Sequence, residues 1–135
     1  MATYMIYQRK MSEELSNRIN AYPKSVVARA YFALGMPNKD NVEDVVDDAI
    51  HHGFYEPTMI MYTEDPSDGI GRTPFEAIFD EGNGYGDGSI TTVNIRKHPS
   101  MSVGDLVIDL TNDQAHVCMP TGWYNLELTL ELNKA

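Results

Sequence analysis

The hydrophobic periodicity of this chain changes near residue 89, and that change limits the folds available to it. Before Ser89, apolar residues recur mostly at helical spacing, whereas after it they alternate with polar residues. Spacing of three and four residues is typical of amphipathic helices, and alternation is typical of strands with one solvent-exposed face. We therefore expect a single α+β domain, residues 1–135, in which several short helices of the N-terminal half pack on a mainly antiparallel sheet supplied largely by the C-terminal half.

Four segments carry helix signals, at residues 12–20, 26–34, 42–52 and 74–80. The third is the clearest, because Asn41 is a good N-cap and the apolar residues after it follow the helical template without a miss. In the second, the same spacing predicts an inward face made of Val26, Val27, Ala30, Tyr31 and Leu34. In the fourth, Pro74 follows a capping threonine, and Phe75, Ile78 and Phe79 are expected to point inward.

Two short strands are predicted in the first half, at residues 4–8 and 58–63, and we expect them to pair. The second is a continuous apolar run bounded by Pro57, which indicates a strand buried on both faces. Four more strands are predicted at residues 90–95, 103–110, 115–119 and 123–132, separated by turn-forming residues.

The charge of the chain excludes some partners. Twenty acidic residues oppose ten basic ones, for a formal net charge of −10. That excess opposes approach to nucleic acid or to an anionic membrane. The outer face of the third helix is acidic and consists of Glu43, Asp44, Asp47 and Asp48. Such a face either keeps the protein soluble or imitates DNA phosphates to occupy the basic groove of a nuclease or repressor.

Cys118 is the single cysteine, which excludes an internal disulfide and every multi-cysteine zinc pattern. The first residues lack a basic start followed by a long apolar run, and no stretch approaches eighteen consecutive apolar residues. We expect a soluble, cytoplasmic protein.

A motif begins at residue 100 and continues through a predicted hairpin. It reads Ser100-Met101-Ser102-Val103-Gly104-Asp105-Leu106-Val107-Ile108 and is followed by Ala115 and by Gly122-Trp123. Together with the upstream helix and Asn83, these residues resemble the YodL-like domain and related small phage and mobile-element proteins. The resemblance covers about residues 73–126 and implies an accessory protein of a phage or similar element. It carries over no catalytic residue.

The residues of this motif also have a structural interpretation. Gly104 can take a positive φ, and Asp105 and the serines can accept backbone N–H bonds, so Gly104-Asp105 is predicted to be a turn into a strand.

Two further segments of the sequence are candidates for a catalytic or metal-binding site. His116 and Cys118 are two residues apart on a predicted strand and should share a face. A zinc site needs more ligands than that spacing supplies, so we expect a buried thiol and a hydrogen-bonded histidine.

The loop at residues 82–88 lacks the Lys-Ser/Thr of a phosphate-binding loop, and with Asp80 it is at most a weak calcium pattern. Tyr85 at its tip is a candidate contact residue.

These observations favour a noncatalytic protein that binds another protein, for which a basic host protein is the candidate, without cofactor or metal. The alternative is a small enzyme with a site near His116, Cys118 and Asp105, which a pocket converging on His116 and Asp105 would favour. A third possibility is a homodimer formed through an exposed sheet edge. The motif residues whose role the sequence leaves open are Ser100, Ser102, Gly104, Asp105, His116, Cys118, Gly122 and Trp123.

Overall fold

The described part of the chain contains four helices and one six-stranded sheet. The computed structural model describes residues 2–10, 13–22, 24–63, 74–86, 88, 90–98 and 100–126. The helices are α1 (Glu13–Ala21), α2 (Val26–Ala33), α3 (Val42–His51) and α4 (Pro74–Gly82). The strands are β1 (Ala2–Arg9), β2 (Tyr55–Thr63), β3 (Thr91–Asn94), β4 (Leu106–Asp109), β5 (Gln114–Cys118) and β6 (Trp123–Leu126). None of the helices in these ranges is long and apolar enough to cross a membrane.

The sheet has the strand order β3-β2-β1-β4-β5-β6, and all its neighbouring strands are antiparallel. The predicted pairing of the two N-terminal strands is confirmed, since β1 pairs with β2 along its whole length. On its other side β1 pairs with β4, from Tyr4 opposite Asp109 to Tyr7 opposite Leu106. The α+β prediction is therefore confirmed, with four of the six strands coming from the second half. Strands β3 and β6 form the two edges, and the homodimer stays a prediction.

Helices cover both faces of the sheet. Because successive side chains of a strand point to opposite faces, Leu106 and Ile108 face one side and Val107 the other. On the first face, Leu106 and Ile108 share a buried cluster with residues of α1, α2 and α3. On the second face, Val107 and Ile6 pack with Ala77 and Ile78 of α4. The chain after β2 thus places its one described helix on the side opposite the first three.

Helix α3 has the face pattern that its sequence predicts except at Glu43, which was expected on the outer face. Its inward residues Val42, Val45, Val46 and Ala49 are buried, and Ile50 is partly buried. Its outward residues Asp44, Asp47 and Asp48 are exposed, while Glu43 is half-buried.

The predicted inward face of α2 is wrong at Val26, which is 73% exposed. Ser25 precedes the helix as its N-cap, and its hydroxyl accepts a hydrogen bond from the Ala28 N–H at 3.1 Å. Ala28 is fully buried, and Ala30 and Leu34 are buried beside it. The inward arc therefore includes position 28, and the first residue of the helix points to solvent.

The predicted N-cap of α3 needs a similar correction. Asn41 stands at the capping position, but its side chain makes no capping hydrogen bond to the helix. Its oxygen instead accepts the N–H of Asn38 at 2.9 Å, and the Asn38 side chain accepts the N–H groups of Asp40 and Asn41. The two asparagines thus organise the preceding turn together.

Pro57 lies inside β2 and does not bound it. The register between β1 and β2 shifts at this point, where Ile6 faces Met59 and Tyr7 faces Pro57, so Thr58 is an extra residue in a β-bulge. A bulge is where a strand tolerates proline, because the missing N–H costs no regular ladder bond there. The prediction that this strand is buried on both faces is only partly correct, since Met59 and Met61 are buried but Ile60 is half-buried.

The later predicted strands are present, some with shorter bounds. Strand β4 begins at Leu106, because Val103 and Gly104 form the turn that precedes it. Positions 127–132 of the predicted last strand, and the capping residues Ser12 and Thr73, lie outside the described residues.

Gly104 lies where the sheet meets the helical layer. Its φ is +93°, and a Cβ at this position would come within 2.5 Å of the Leu34 carbonyl oxygen at the end of α2. The buried Tyr55 hydroxyl donates a 2.6 Å hydrogen bond to the Gly104 carbonyl. Backbone conformation and backbone contact both require glycine here.

We predict that Gly104→Ala lowers the free energy of unfolding by about 3 kcal/mol, since it adds steric overlap to left-handed strain. The matched control is Gly122→Ala, because Gly122 also has a positive φ, +75°, but open space around its Cβ position. The control should lose only about 1 kcal/mol. Urea denaturation of both variants measures the difference, and equal losses would show that the contact with Leu34 contributes nothing.

Candidate functional site

The predicted site residues fall in two separate regions of the molecule. The acidic face of α3, which we define as Asp44, Asp47 and Asp48, lies in the helical layer over the first face of the sheet. The motif residues from Ser100 to Trp123 lie at one end of β4, β5 and β6. These two groups therefore have to be considered as different sites.

The motif turn is held by a buried hydrogen-bond network. The Asp105 carboxylate accepts the Ser102 N–H at 2.8 Å and the Gln8 side-chain amide at 3.0 Å. The same amide donates to the Ser100 carbonyl at 3.3 Å, and the Gln8 oxygen accepts the Thr58 hydroxyl at 2.8 Å. The predicted turn is thus confirmed, with Asp105 accepting a backbone N–H.

Sequence reasoning missed Gln8 and Thr58 as parts of this network. Gln8 is 1% exposed and lies on the second face of the sheet together with Tyr4 and Ile6. The sequence did contain one indication of its role. Gln8 follows Tyr4 and Ile6 at every second position of the strand, and a side-chain amide on such a buried face needs a hydrogen-bond partner. Its partner Asp105 lies about a hundred residues away along the chain, so the sequence alone did not identify the pair.

Burial raises the pKa of Asp105 from 3.8 to about 6. The hydrogen bonds from Ser102 and Gln8 oppose that rise, and so do the positive charges of Arg9 and His98. Loss of water around the carboxylate is the larger effect. Asp105 therefore changes protonation in a mildly acidic range although it is 2% exposed.

His116 is buried beneath an aromatic ring. Phe75 of α4 lies over it with 4.2 Å between ring centroids. Burial lowers the pKa of His116, and the negative charge of Asp109 opposes this effect. The lowered pKa favours the neutral imidazole, and the Phe75 ring covers it.

Cys118 shares the second face with His116, as predicted, but the environment of its thiol is unfavourable for nucleophilic chemistry. Burial, followed by the negative charge of Asp105, raises the pKa of Cys118 to about 11. The thiol donates weakly to the Met119 carbonyl at 3.8 Å. A nucleophilic cysteine needs a lowered pKa, so this arrangement corresponds to the buried thiol that the sequence predicts.

The remaining candidates are at the surface. Tyr85 is 80% exposed in the turn after α4. Trp123 is half-buried, and together with Cys118 it lines a cavity that neither His116 nor Asp105 lines. Among the residues that the structure describes, no three His, Cys, Asp or Glu side chains are grouped so that they could hold a metal ion.

Comparisons with known proteins add no relative: no protein-family model, curated protein or solved structure matches this chain. The YodL-like resemblance therefore stays a prediction.

We predict that Asp105 makes stability depend on pH. Its folded pKa exceeds the unfolded value, so its contribution is fully present below about pH 3.8 and is lost as the pH rises through about 6. The free energy of unfolding of the wild type, minus that of Asp105→Asn, should fall by about 2 kcal/mol between pH 4 and pH 7. Urea denaturation measures the free energy of unfolding of both proteins across this range. Taking the difference cancels the contributions of the other acidic residues. A difference that stays constant with pH would contradict the assigned pKa.

We also predict that Cys118 reacts slowly with iodoacetamide in the folded protein. At pH 8 its raised pKa leaves about a hundredfold less thiolate than a pKa of 9.0 would, before burial reduces access further. Because Cys118 is the single cysteine, mass spectrometry of the labelled chain measures it directly, and the chain unfolded in urea is the control. Equal rates in the folded and unfolded states would show a reactive thiol and would favour the enzyme.

Proposed function

We propose that this chain is a noncatalytic interaction module of phage or mobile-element type, which binds a basic protein partner through the outer surface of α2 and α3. The observation that carries the proposal is that exposed carboxylates and exposed large apolar side chains occur on two helices that pack together.

The acidic face supplies charge with a defined geometry. Asp44, Asp47 and Asp48 are related by three and four positions on one helix, which separates neighbouring Cβ atoms by about 5–6 Å. The opposite side of α3 is buried in the core, so these carboxylates are presented on a rigid element. A fixed row of negative charge complements a basic groove of the kind that binds nucleic acid, and favours rapid association with it.

The apolar side chains argue that this surface does more than maintain solubility. Val26 and Phe32 of α2 are 73% and 55% exposed. Tyr22 precedes them at 72% exposure and Met36 follows at 77%. Charged residues alone would explain a solubilising face, but exposed aromatic and methionine side chains are typical of surfaces that bind proteins.

The competing enzyme hypothesis gains no support from the geometry of its residues. His116 lies under Phe75, and the pKa of Cys118 is raised rather than lowered. The motif residues Ser100, Ser102, Gly104 and Asp105 are engaged in the turn before β4. We therefore propose binding rather than catalysis, with no direct contact to nucleic acid because of the net charge of −10.

The test is a comparison of proteins captured from a lysate of the natural host by the wild type and by the double variant Asp44→Lys/Asp48→Lys. We expect the wild type to retain a basic protein at low salt and to release it at about 0.5 M salt, because charges at that salt concentration are screened from each other beyond about 4 Å. The double variant should not retain it at either salt concentration. Titration of the captured protein, once purified, should show binding at least tenfold weaker for the variant.

The matched control is Thr91→Lys/Asp113→Lys/Gln114→Lys, which makes the same change in net charge at three exposed positions outside α3. It should retain the partner, because the proposal assigns binding to a particular surface and not to total charge. Equal loss in the α3 variant and in the control, or retention that does not depend on salt, would contradict the proposal.

A further inference from the structure

Strand β3 is one edge of the sheet. Among the residues that the structure describes, it pairs with β2 and on that side only. The Ile95 N–H, directly after the strand, donates to the Thr58 carbonyl of β2 at 2.9 Å. Because the backbone groups of successive residues point alternately to the two sides of a strand, those of Thr92 and Asn94 point away from β2. Each of these two residues therefore presents an N–H and a carbonyl at the edge.

An apolar strip on the first face of the sheet leads to this edge. Ile60 of β2 lies opposite both Met5 of β1 and Val93 of β3, and Met5 packs against the buried cluster of that face. Ile60 and Tyr62 are half-buried, whereas Val93 is 49% exposed and Ile95 is 41% exposed. Neither buried cluster of the described residues includes these last four side chains. They form a strip that ends at the outer side of β3.

The edge lacks the charges that usually protect an edge strand. Exposed edges commonly carry charged side chains or proline, which prevent pairing with another chain. Residues 90–95 read Ile-Thr-Thr-Val-Asn-Ile and contain neither. Two copies of a chain with a net charge of −10 repel each other, but residues 88–104 include no acidic residue. Repulsion between two copies is therefore reduced at this edge.

The outward groups of β3 match those of a second copy in one antiparallel register. In that register Thr92 of each copy lies opposite Asn94 of the other, and each pair exchanges both of its backbone hydrogen bonds. Registers shifted to either side would pair Thr92 or Asn94 with a residue outside β3. Val93 then lies opposite Val93 of the second copy, with about 4.5–5.5 Å between Cβ atoms. The apolar strips of the two copies consequently meet on the same face.

The second face of the sheet is complementary in the same register. The Glu81 carboxylate of α4 accepts the Thr92 hydroxyl at 2.9 Å, and Asn94 of the second copy would lie opposite that threonine. The Asn94 side-chain oxygen pairs with His98 at 3.0 Å, which leaves its amide N–H groups to donate across the pair to Glu81. A polar contact therefore accompanies the apolar contact on the first face.

We propose that two copies of this chain form a two-fold dimer through β3, which joins their sheets into one. A second copy is the partner that fits this edge, because a few residues supply both sides of the contact and meet their own counterparts at the axis. The dimer goes beyond the proposed function, since it needs neither α2 nor α3.

Sedimentation equilibrium of the whole chain tests the association. The contact is small, so we expect a dissociation constant near about 10 µM, with the average mass approaching twice that of one chain as concentration rises. Val93→Lys places like charges opposite each other at the two-fold axis and should weaken the association about tenfold. The matched control is Leu110→Lys, which makes the same change in charge at an apolar residue after β4 that is 41% exposed. The control should leave the dissociation constant unchanged.

A mixture of two variants tests the two-fold arrangement. Val93→Glu alone should also associate about tenfold more weakly than the wild type, because its carboxylates repel each other across the axis. An equimolar mixture of Val93→Lys and Val93→Glu should associate about as tightly as the wild type, since opposite charges then meet at the axis. Circular dichroism of each variant checks that it is folded.

Cysteine variants test the register itself. Val93→Cys should form an intermolecular disulfide on oxidation, because residues opposite each other in such a pair have Cα atoms about 4.5 Å apart, within the range of disulfides. The control is Ile95→Cys, which this register places opposite Thr91 and about 14 Å from position 95 of the second copy. It should form no such disulfide, and electrophoresis without reducing agent measures both. The buried Cys118 is present in both variants.

Several results would overturn the proposal. A wild type that stays monomeric up to about 200 µM would leave this edge to a strand of a different protein. Equal association of the wild type and Val93→Lys would place the contact elsewhere on the molecule. A mixture that associates no more tightly than its components, or equal cross-linking of the two cysteine variants, would contradict the two-fold register. Because none of these variants alters α2 or α3, failure here leaves the test of the proposed function intact.

Discussion

The rest of this structure depends on the pairing of β1 with β4 in one particular register. It joins the first strand of the chain to the antiparallel strands of the second half, across about a hundred residues of sequence. A shift of one residue would move every side chain of β1 to the opposite face. Gln8 makes such a shift costly, since its buried amide bonds both to Asp105 before β4 and to Thr58 in the bulge of β2. One side chain thereby links three neighbouring segments of the sheet.

The same register explains why local patterns predict the elements better than their arrangement. The inward positions of α3 are a local property, and the structure agrees with them. The alternation expected after Ser89 does not appear in the burial of β4 and β5, because helices cover both faces of the sheet and bury nearly every residue of these strands. The position of β1 at the centre of the sheet, with α4 on the face opposite the other helices, depends on contacts between remote segments. The errors have local physical causes. Ser25 caps α2 so that Val26 turns outward, and the bulge at Thr58 admits Pro57 into β2.

The candidate sites divide in the same way. Helical spacing is sufficient to predict the exposed acidic face of α3, because one helix supplies all of it. The cavity beside Trp123 could not be predicted, because its two walls come from α4 and from β6, about 45 residues further along the chain. Phe79 was expected to point inward, and it does so only partly, which leaves it available to the cavity wall.

The motif from Ser100 to Asp105 is best understood as a structural element. Gly104 permits close contact with Leu34, Asp105 closes the turn through Ser102, and Met101 packs against Gly82 at the end of α4. Each of these roles follows from backbone geometry or burial, and none requires a ligand. A chain that kept this motif would keep the junction between sheet and helices whatever it bound. Substitutions on the outer surface of α2 and α3 would leave that junction intact, because its contacts are made by Leu34, Tyr55 and the buried network around Asp105.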